Sequence, residues 1–255
     1  MKKVSILLVM FALVAGLILP GCSDKNDDPT PTTGITKIRV ATDATWPPFE
    51  YVDTATNKIV GFDIDLMNAI ALKAGLEIEY VNVEWDPLLA GMAQGTYDAA
   101  ISSITIKADR LAQMNFSDPY FTAGQIIVVR ASNNTITGAA NISGKVGVQT
   151  GTTGDDEVSA MTGVEKVSYD DITLAFTALL SNQIDAVVCD TPVADGYTTK
   201  YSTQLKTVGN VLTTEEYGIA VPKSKEAILA KINQGLAAVK ADGTIEQLVL
   251  KWLVG

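Results

Sequence analysis

Between residues 37 and 102 the chain switches repeatedly between two hydrophobic periods, and that alternation limits the folds open to it. "KIRVAT", "LEIEYVNV" and "YDAAIS" are short, rich in β-branched or small apolar residues and read as strands; "DIDLMNAIALKAG" and "DPLLAGMAQG" carry the 3.6-residue period of helices. Helix-end residues fit the same division. Asp63 is placed to cap the first helix and Gly75 to end it, and Asp86 with Pro87 opens the second, which Gly95 closes. The alternation resumes after residue 140 with "KVGVQT", a helix from about Thr152, "VEKVSYD", a helix over "ITLAFTALLSN", "IDAVVCD" and a helix from Thr191. These are two α/β halves in series. The tail from Glu216 adds a strand and two amphipathic helices, more than the second half needs, so it is expected to return to the first. A chain that crosses twice makes two lobes with a cleft between them, and loops at the carboxyl ends of both sheets face that cleft.

Composition narrows the chemistry. The chain is 47% hydrophobic and 19% charged, which supports a real core, and its net charge of −10 argues against nucleic-acid partners. There is no histidine. Ser-His-Asp and Cys-His nucleophilic sites are therefore excluded, and the commonest ligand of transition metals is missing. No metal or cofactor is expected. What remains is acid–base chemistry by carboxylate, lysine or tyrosine, or binding without chemistry. The two cysteines, Cys22 and Cys189, offer no disulfide framework.

The first 21 residues have the layout of a secretory signal: Lys2 and Lys3, an apolar run too short to span a bilayer comfortably, and a small residue before Cys22. "LPGC" resembles a bacterial lipobox, in which Cys22 is lipidated, although Pro20 is unusual at its place in that motif. The polar, Pro-broken segment over 22–36 reads as a flexible tether, with the folded body beginning near Thr36. The expected location is extracytoplasmic, in the periplasm or at the cell surface, with a lipid anchor to the membrane.

The segments "ATDATWPPFEY", "GFDIDLMNAIA", "YDAAISSITIKADR", "FSDPYF", "VGVQTGTTG", "DAVVCDTP" and "YGIAVPK", in this order and spacing, resemble the extracytoplasmic solute-binding proteins of polar amino acid ABC transporters, the periplasmic binding proteins of family 3. The resemblance implies a two-lobed, type II-like α/β fold with a ligand cleft. Lobe 1 is then formed by 37–121 and 218–255 and lobe 2 by 125–213, with hinge strands near 120–124 and 213–217. It implies a free amino acid as ligand, an ABC permease as membrane partner, a monomer, and no catalysis. Arg110 corresponds to the arginine that grips the ligand carboxylate, with Thr105, Thr152 and Thr153 beside it, and Asp190 to the aspartate that meets the ammonium, with Ser103 and Thr105. Read without the resemblance, Arg110 is a surface helix residue near Asp109, the Gly/Thr loop is a turn, and Asp190 is a helix N-cap.

Asp43, Trp46, Trp85, Ser102 and Gln149 stand where the family surrounds the ligand side chain; either tryptophan alone also reads as core. Two indoles facing each other would hold a flat or cationic group, and Asp43 disfavours an acidic side chain. Arginine is the leading ligand, followed by lysine, glutamine and histidine. Two alternatives use the same fold: a dehydratase acting on prephenate-like or arogenate-like acids, and a sensor that presents its ligand to a receptor.

Overall fold

A computed structural model describes residues 35–254. The leader, Cys22 and nearly all of the tether lie outside them. The first sheet has the order β5-β1-β6-β15-β7, formed by Leu76–Asn82, Thr36–Thr42, Ala99–Ala100, Ala220–Pro222 and Met114–Phe116. The second has the order β11-β10-β12-β9-β13, formed by Val164–Tyr169, Gly144–Gln149, Ala186–Asp190, Gln125–Arg130 and Leu205–Val208. In each sheet four strands run in one direction and one, β15 in the first and β9 in the second, runs antiparallel to them. Between the sheets, β8 (Phe121–Ala123) and β14 (Glu215–Tyr217) form a two-stranded antiparallel ribbon. The small antiparallel sheet of β2 (Thr45–Trp46), β3 (Glu50–Asp53) and β4 (Lys58–Val60) flanks helix α1 (Phe62–Ala74).

Alternation along each strand decides which helices cover it. Ile38 and Val40 of β1 enter a core with α1 and with α7 (Glu226–Ala241), while Ala41 enters another with Leu88 and Met92 of α2 (Trp85–Gln94). In β12, Ala186 and Val188 pack toward Val158 of α4 (Thr153–Ala160). Val187 and Cys189 pack toward Phe176 of α5 (Ile172–Leu180) and Tyr197 of α6 (Thr191–Lys200). A sheet covered on both faces needs unbroken apolar central strands, and "QIIVVR" and "AVVCD" are such runs. The free thiol of Cys189 is therefore buried and its pKa is pushed up by desolvation. Among the described residues no helix is long and apolar enough to cross a membrane.

Helix ends follow the sequence where a glycine is required. Gly75 and Gly95 take left-handed φ values of 64° and 75° and close α1 and α2. Two N-terminal expectations are corrected. The cap of α2 is Glu84, so Asp86 and Pro87 fall inside its first turn. The cap of α1 is Gly61, and Asp63 makes no capping bond because its carboxyl turns into the protein.

There Asp63 Oδ2 accepts the Ser103 N–H at 2.8 Å and the Tyr120 hydroxyl at 2.8 Å. Beside it Glu50, also fully buried, accepts the Ser102 hydroxyl at 3.1 Å and that of Ser103 at 3.4 Å. Desolvation pushes Asp63 up to about 7, and desolvation together with the neighbouring Asp63 charge holds Glu50 well above the usual carboxylate range. One proton shared by the pair also gives Asp63 Oδ1 a partner, which it otherwise lacks among the described residues. The pair fastens the start of α1 to the Ser102–Ser103 turn.

Two expected outcomes follow from this packing. The folded Glu50–Asp63 pair keeps a proton that the unfolded chain releases near pH 4, so the pair's contribution to stability is present below that pH and is lost as pH rises through the raised range of the two carboxyls. Asp63→Asn, a neutral isostere, should flatten the fall of melting temperature with pH over that window, measured against the wild type by calorimetry. Gly61 sits at φ 136°, and a Cβ there would strike the Phe49 carbonyl, so Gly61→Ala should cost about 2 kcal/mol or more in urea unfolding.

Candidate functional site

The strands that end in the middle of the molecule supply the site. The carboxyl end of β1 leads to Asp43, that of β6 to Ser102 and Ser103, that of β10 to Gln149 and the Gly151–Thr152 turn, and β12 ends on Asp190. Ser103 holds a left-handed φ of 50° without being glycine, and the Asp63 carboxyl fixes that turn through the Ser103 N–H. Ahead of helix α3 (Ala108–Gln113), which carries Arg110, the Thr105 segment bridges to Tyr217 of the ribbon.

A narrow, nearly closed cavity of about 10 Å³ lies between the two sheets, lined by Trp46, Trp85, Ser102, Ser103, Thr105, Arg110, Thr152, Thr153 and Asp190. All nine were singled out in the sequence. The other two, Asp43 and Gln149, lie one layer further out and are hydrogen-bonded to the lining.

Arg110 is only 5% exposed, yet its guanidinium is well supplied with acceptors. Nη1 donates to the Thr105 carbonyl at 3.0 Å and Nη2 to the Gly151 carbonyl at 3.2 Å. Its carbon stands 5.1 Å from the centroid of Trp85, whose own Nε1 donates to the same Gly151 carbonyl at 3.1 Å. One face of Trp85 therefore carries Arg110, which departs from the expected sandwich of two free indole faces. Desolvation lowers the Arg110 pKa, with nearby carboxylates opposing it; a guanidinium keeps its charge in such surroundings. Gly151, at φ 71°, allows this approach: a Cβ there would stand 2.8 Å from Asp86 Oδ1.

Asp190 is 2% exposed and occupies the N-cap position of α6 without making a capping bond. Its carboxylate instead accepts from Gln125 Nε2 at 2.7 Å and from the Tyr217 hydroxyl. Burial and the neighbouring Glu215 push Asp190 up to about 7, while those two donors and Arg110 pull it down. The Thr152 hydroxyl is occupied in capping α4, accepting from the Asp155 N–H at 3.3 Å and donating to the Gln149 carbonyl at 2.8 Å. Its site-facing contribution is thus main-chain.

On the other side, Trp46 reaches from β2 into the core of the second sheet, and its Nε1 donates to Gln149 Oε1. Gln149 Nε2 donates onward to Asp43 Oδ2 at 2.9 Å. The Asp43 N–H donates to Ser102 Oγ at 2.9 Å, and that hydroxyl passes its proton to Glu50. Ser102 therefore offers the cavity a lone pair only. Burial raises Asp43 to about 6.

Sequence reasoning passed over Gln125, Glu215, Tyr217, Glu50 and Tyr120, which hold the lining residues in place. One carried a legible signal: Gln125 is a polar residue opening a strand whose next four residues are apolar. Glu215 and Tyr217 lie in β14, Glu50 in β3 and Tyr120 just before β8, and the partners they hold are distant in sequence.

Residues 38–255 match the family described as bacterial extracellular solute-binding proteins, family 3. The ABC transporter arginine-binding protein 1 of Escherichia coli (strain K12) is 35% identical over 223 residues, covering 85% of this chain and 90% of that protein. A probable histidine-binding protein of Neisseria gonorrhoeae is 33% identical over 247 residues, covering 93% of this chain and 91% of that one. Among solved structures, an ancestral arginine-binding protein bound to arginine aligns with a TM-score of 0.81 at 41% identity, covering 85% of this chain and 97% of that chain. These relatives are binding proteins. The two open α/β sheets, the ribbon between them and the cavity at their facing strand ends have the arrangement of the type II periplasmic binding fold, and with the match over residues 38–255 this chain belongs to the extracellular solute-binding proteins of family 3.

Proposed function

We propose that the cavity binds one free L-amino acid, arginine first and then lysine, glutamine and histidine, and that the chain delivers it to an ABC permease. The observation that carries this reading is the presence of buried Arg110 and buried Asp190 on one small cavity, each held by neutral dipoles and each lacking a direct partner of opposite charge in those bonds. A zwitterion supplies both. Its carboxylate meets Arg110 and the amides at the start of α4, through Thr152 and Thr153; its ammonium meets Asp190, the Ser103 carbonyl and the Thr105 hydroxyl. Arg110 and Thr105 belong to one lobe and Asp190, Thr152 and Thr153 to the other, so a bound ligand favours the closed state. The β8–β14 ribbon acts as the hinge, within 120–124 and 213–217, joining lobe 1 (37–121 and 218–255) to lobe 2 (125–213).

For the side chain, Asp43, the Ser102 lone pair and the exposed part of the Trp46 and Trp85 rings favour a cation, with Gln149 orienting Asp43. The arginine and histidine named for the relatives agree with this preference. Catalysis is not part of the proposal: a dehydratase needs a carboxylic acid that donates its proton, whereas both groups bonded to Asp190 donate toward it and favour its ionised form. Incubation with arogenate should yield no aromatic product. A monomer lipidated at Cys22 and tethered outside the cytoplasmic membrane completes the proposed assembly.

Isothermal titration of the full chain against the twenty amino acids should give tight binding of arginine, weakened at least 100-fold by Arg110→Ala or Asp190→Ala. Wild-type silence across the set would overturn the reading. A pH series gives a second check. Asp190 protonates near 7 without ligand and must ionise to meet an ammonium, so arginine affinity should fall as pH drops from 8 to 6, by up to about tenfold per unit below 7. The same titrations in buffers of different ionisation enthalpy should report proton release on binding.

A further inference from the structure

Glu215 belongs to the ribbon, not to the lining of the cavity, yet it is 7% exposed and collects three hydroxyls. Its Oε2 accepts from Thr105 Oγ1 at 2.7 Å and from Thr153 Oγ1 at 2.8 Å, and its Oε1 from Thr213 Oγ1 at 2.7 Å. Thr105 precedes α3 beside the first sheet, Thr153 opens α4 over the second, and Thr213 leads into the ribbon. One carboxylate thus joins both lobes and the crossing between them. Thr105 and Thr153 line the cavity on one side and, on the other, a groove that Glu215 itself lines.

A hydroxyl has one proton to give. The Thr105 and Thr153 protons both go to Glu215, and Thr153 Oγ1 also accepts from Gln125 Nε2 at 3.0 Å. What each presents to the cavity is a lone pair. We infer that Glu215 is a positioning residue that orients the Thr105 and Thr153 hydroxyls as acceptors toward the ligand ammonium and ties the two lobes together in the same act. This rests on the reading of the cavity as an amino acid site. Thr105 then serves the ammonium alone, and the ligand carboxylate is left to Arg110 and the amides of α4. Replacing Glu215 by glutamine places an N–H₂ where one acceptor stood, which lets a threonine hydroxyl turn its proton toward the ammonium.

The test is a double-mutant cycle on the full chain, titrated with L-arginine: wild type, Glu215→Gln, the pair Thr105→Val with Thr153→Val, and all three together. Glu215→Gln is expected to weaken arginine at least tenfold in the wild-type background and by less than twofold in the valine background. Thr105→Ser, which keeps the hydroxyl, should retain the full sensitivity to Glu215→Gln. Equal losses in both backgrounds, or no loss in either, would overturn the inference, since a scaffold role for Glu215 does not depend on the two hydroxyls. Thermal unfolding of the same variants without added ligand gives the coupling in the chain itself. If the wild type binds no amino acid, the functional reading fails; a non-zero coupling in melting temperature then retains the three-way tie at Glu215, and zero coupling removes it.

Discussion

Burying a guanidinium and a carboxylate in one cavity, without spending them on each other, is the demand that shapes the centre of this molecule. An isolated charge taken out of water is costly unless dipoles replace the lost hydration. Arg110 obtains two carbonyls and an indole face, and Asp190 an amide and a phenol. None of those groups neutralises the charge it solvates. On the proposed reading, the site therefore keeps an affinity for a molecule carrying both opposite charges. Supplying the dipoles requires the second lobe to bring Gly151 to Arg110 and the ribbon to bring Tyr217 to Asp190, so the charges are satisfied only where both lobes and the crossing between them meet.

Behind the lining, a second set of bonds removes freedom from the first. Ser102 is fixed between the Asp43 N–H and Glu50, Ser103 by Asp63, Trp46 by Gln149, and Gln149 by Asp43. Such a layer lowers the ordering cost of binding, because few of these side chains have rotamers left to lose. The shared proton of Glu50 and Asp63 belongs here: it lets two acids lie side by side in the core as acceptors for the turn that carries the site.

The α/β class and the approximate places of most strands and helices were legible because periodicity is a local property that both faces of a covered sheet impose on the chain. Gly75 and Gly95 were legible for the same reason: a left-handed φ selects glycine whatever surrounds it. Asp63 was misread because its residue type suits a cap, while its actual partners, Ser103 and Tyr120, lie 40 and 57 residues away. The lining residues were found through the family resemblance; composition and spacing alone left Arg110 as a surface residue and Asp190 as a cap. Glu215 and Tyr217 escaped because their roles arise only when distant segments converge, and nothing in their immediate neighbours marks them.

The position of β15 bears on the order in which the molecule can be completed. This strand lies between β6 and β7, inside the first sheet, although the whole second sheet precedes it in the chain. The N-terminal lobe therefore cannot close its sheet, or receive α7 against α1, until residues 220–241 have arrived. The second sheet, continuous from β9 to β13, has no such dependence. During vectorial synthesis or export the lobe that begins first must finish last, and the early segments wait as an incomplete sheet with an open gap beside β6. Contacts of this sequence separation slow folding, which favours a chain that is threaded across a membrane before it becomes compact.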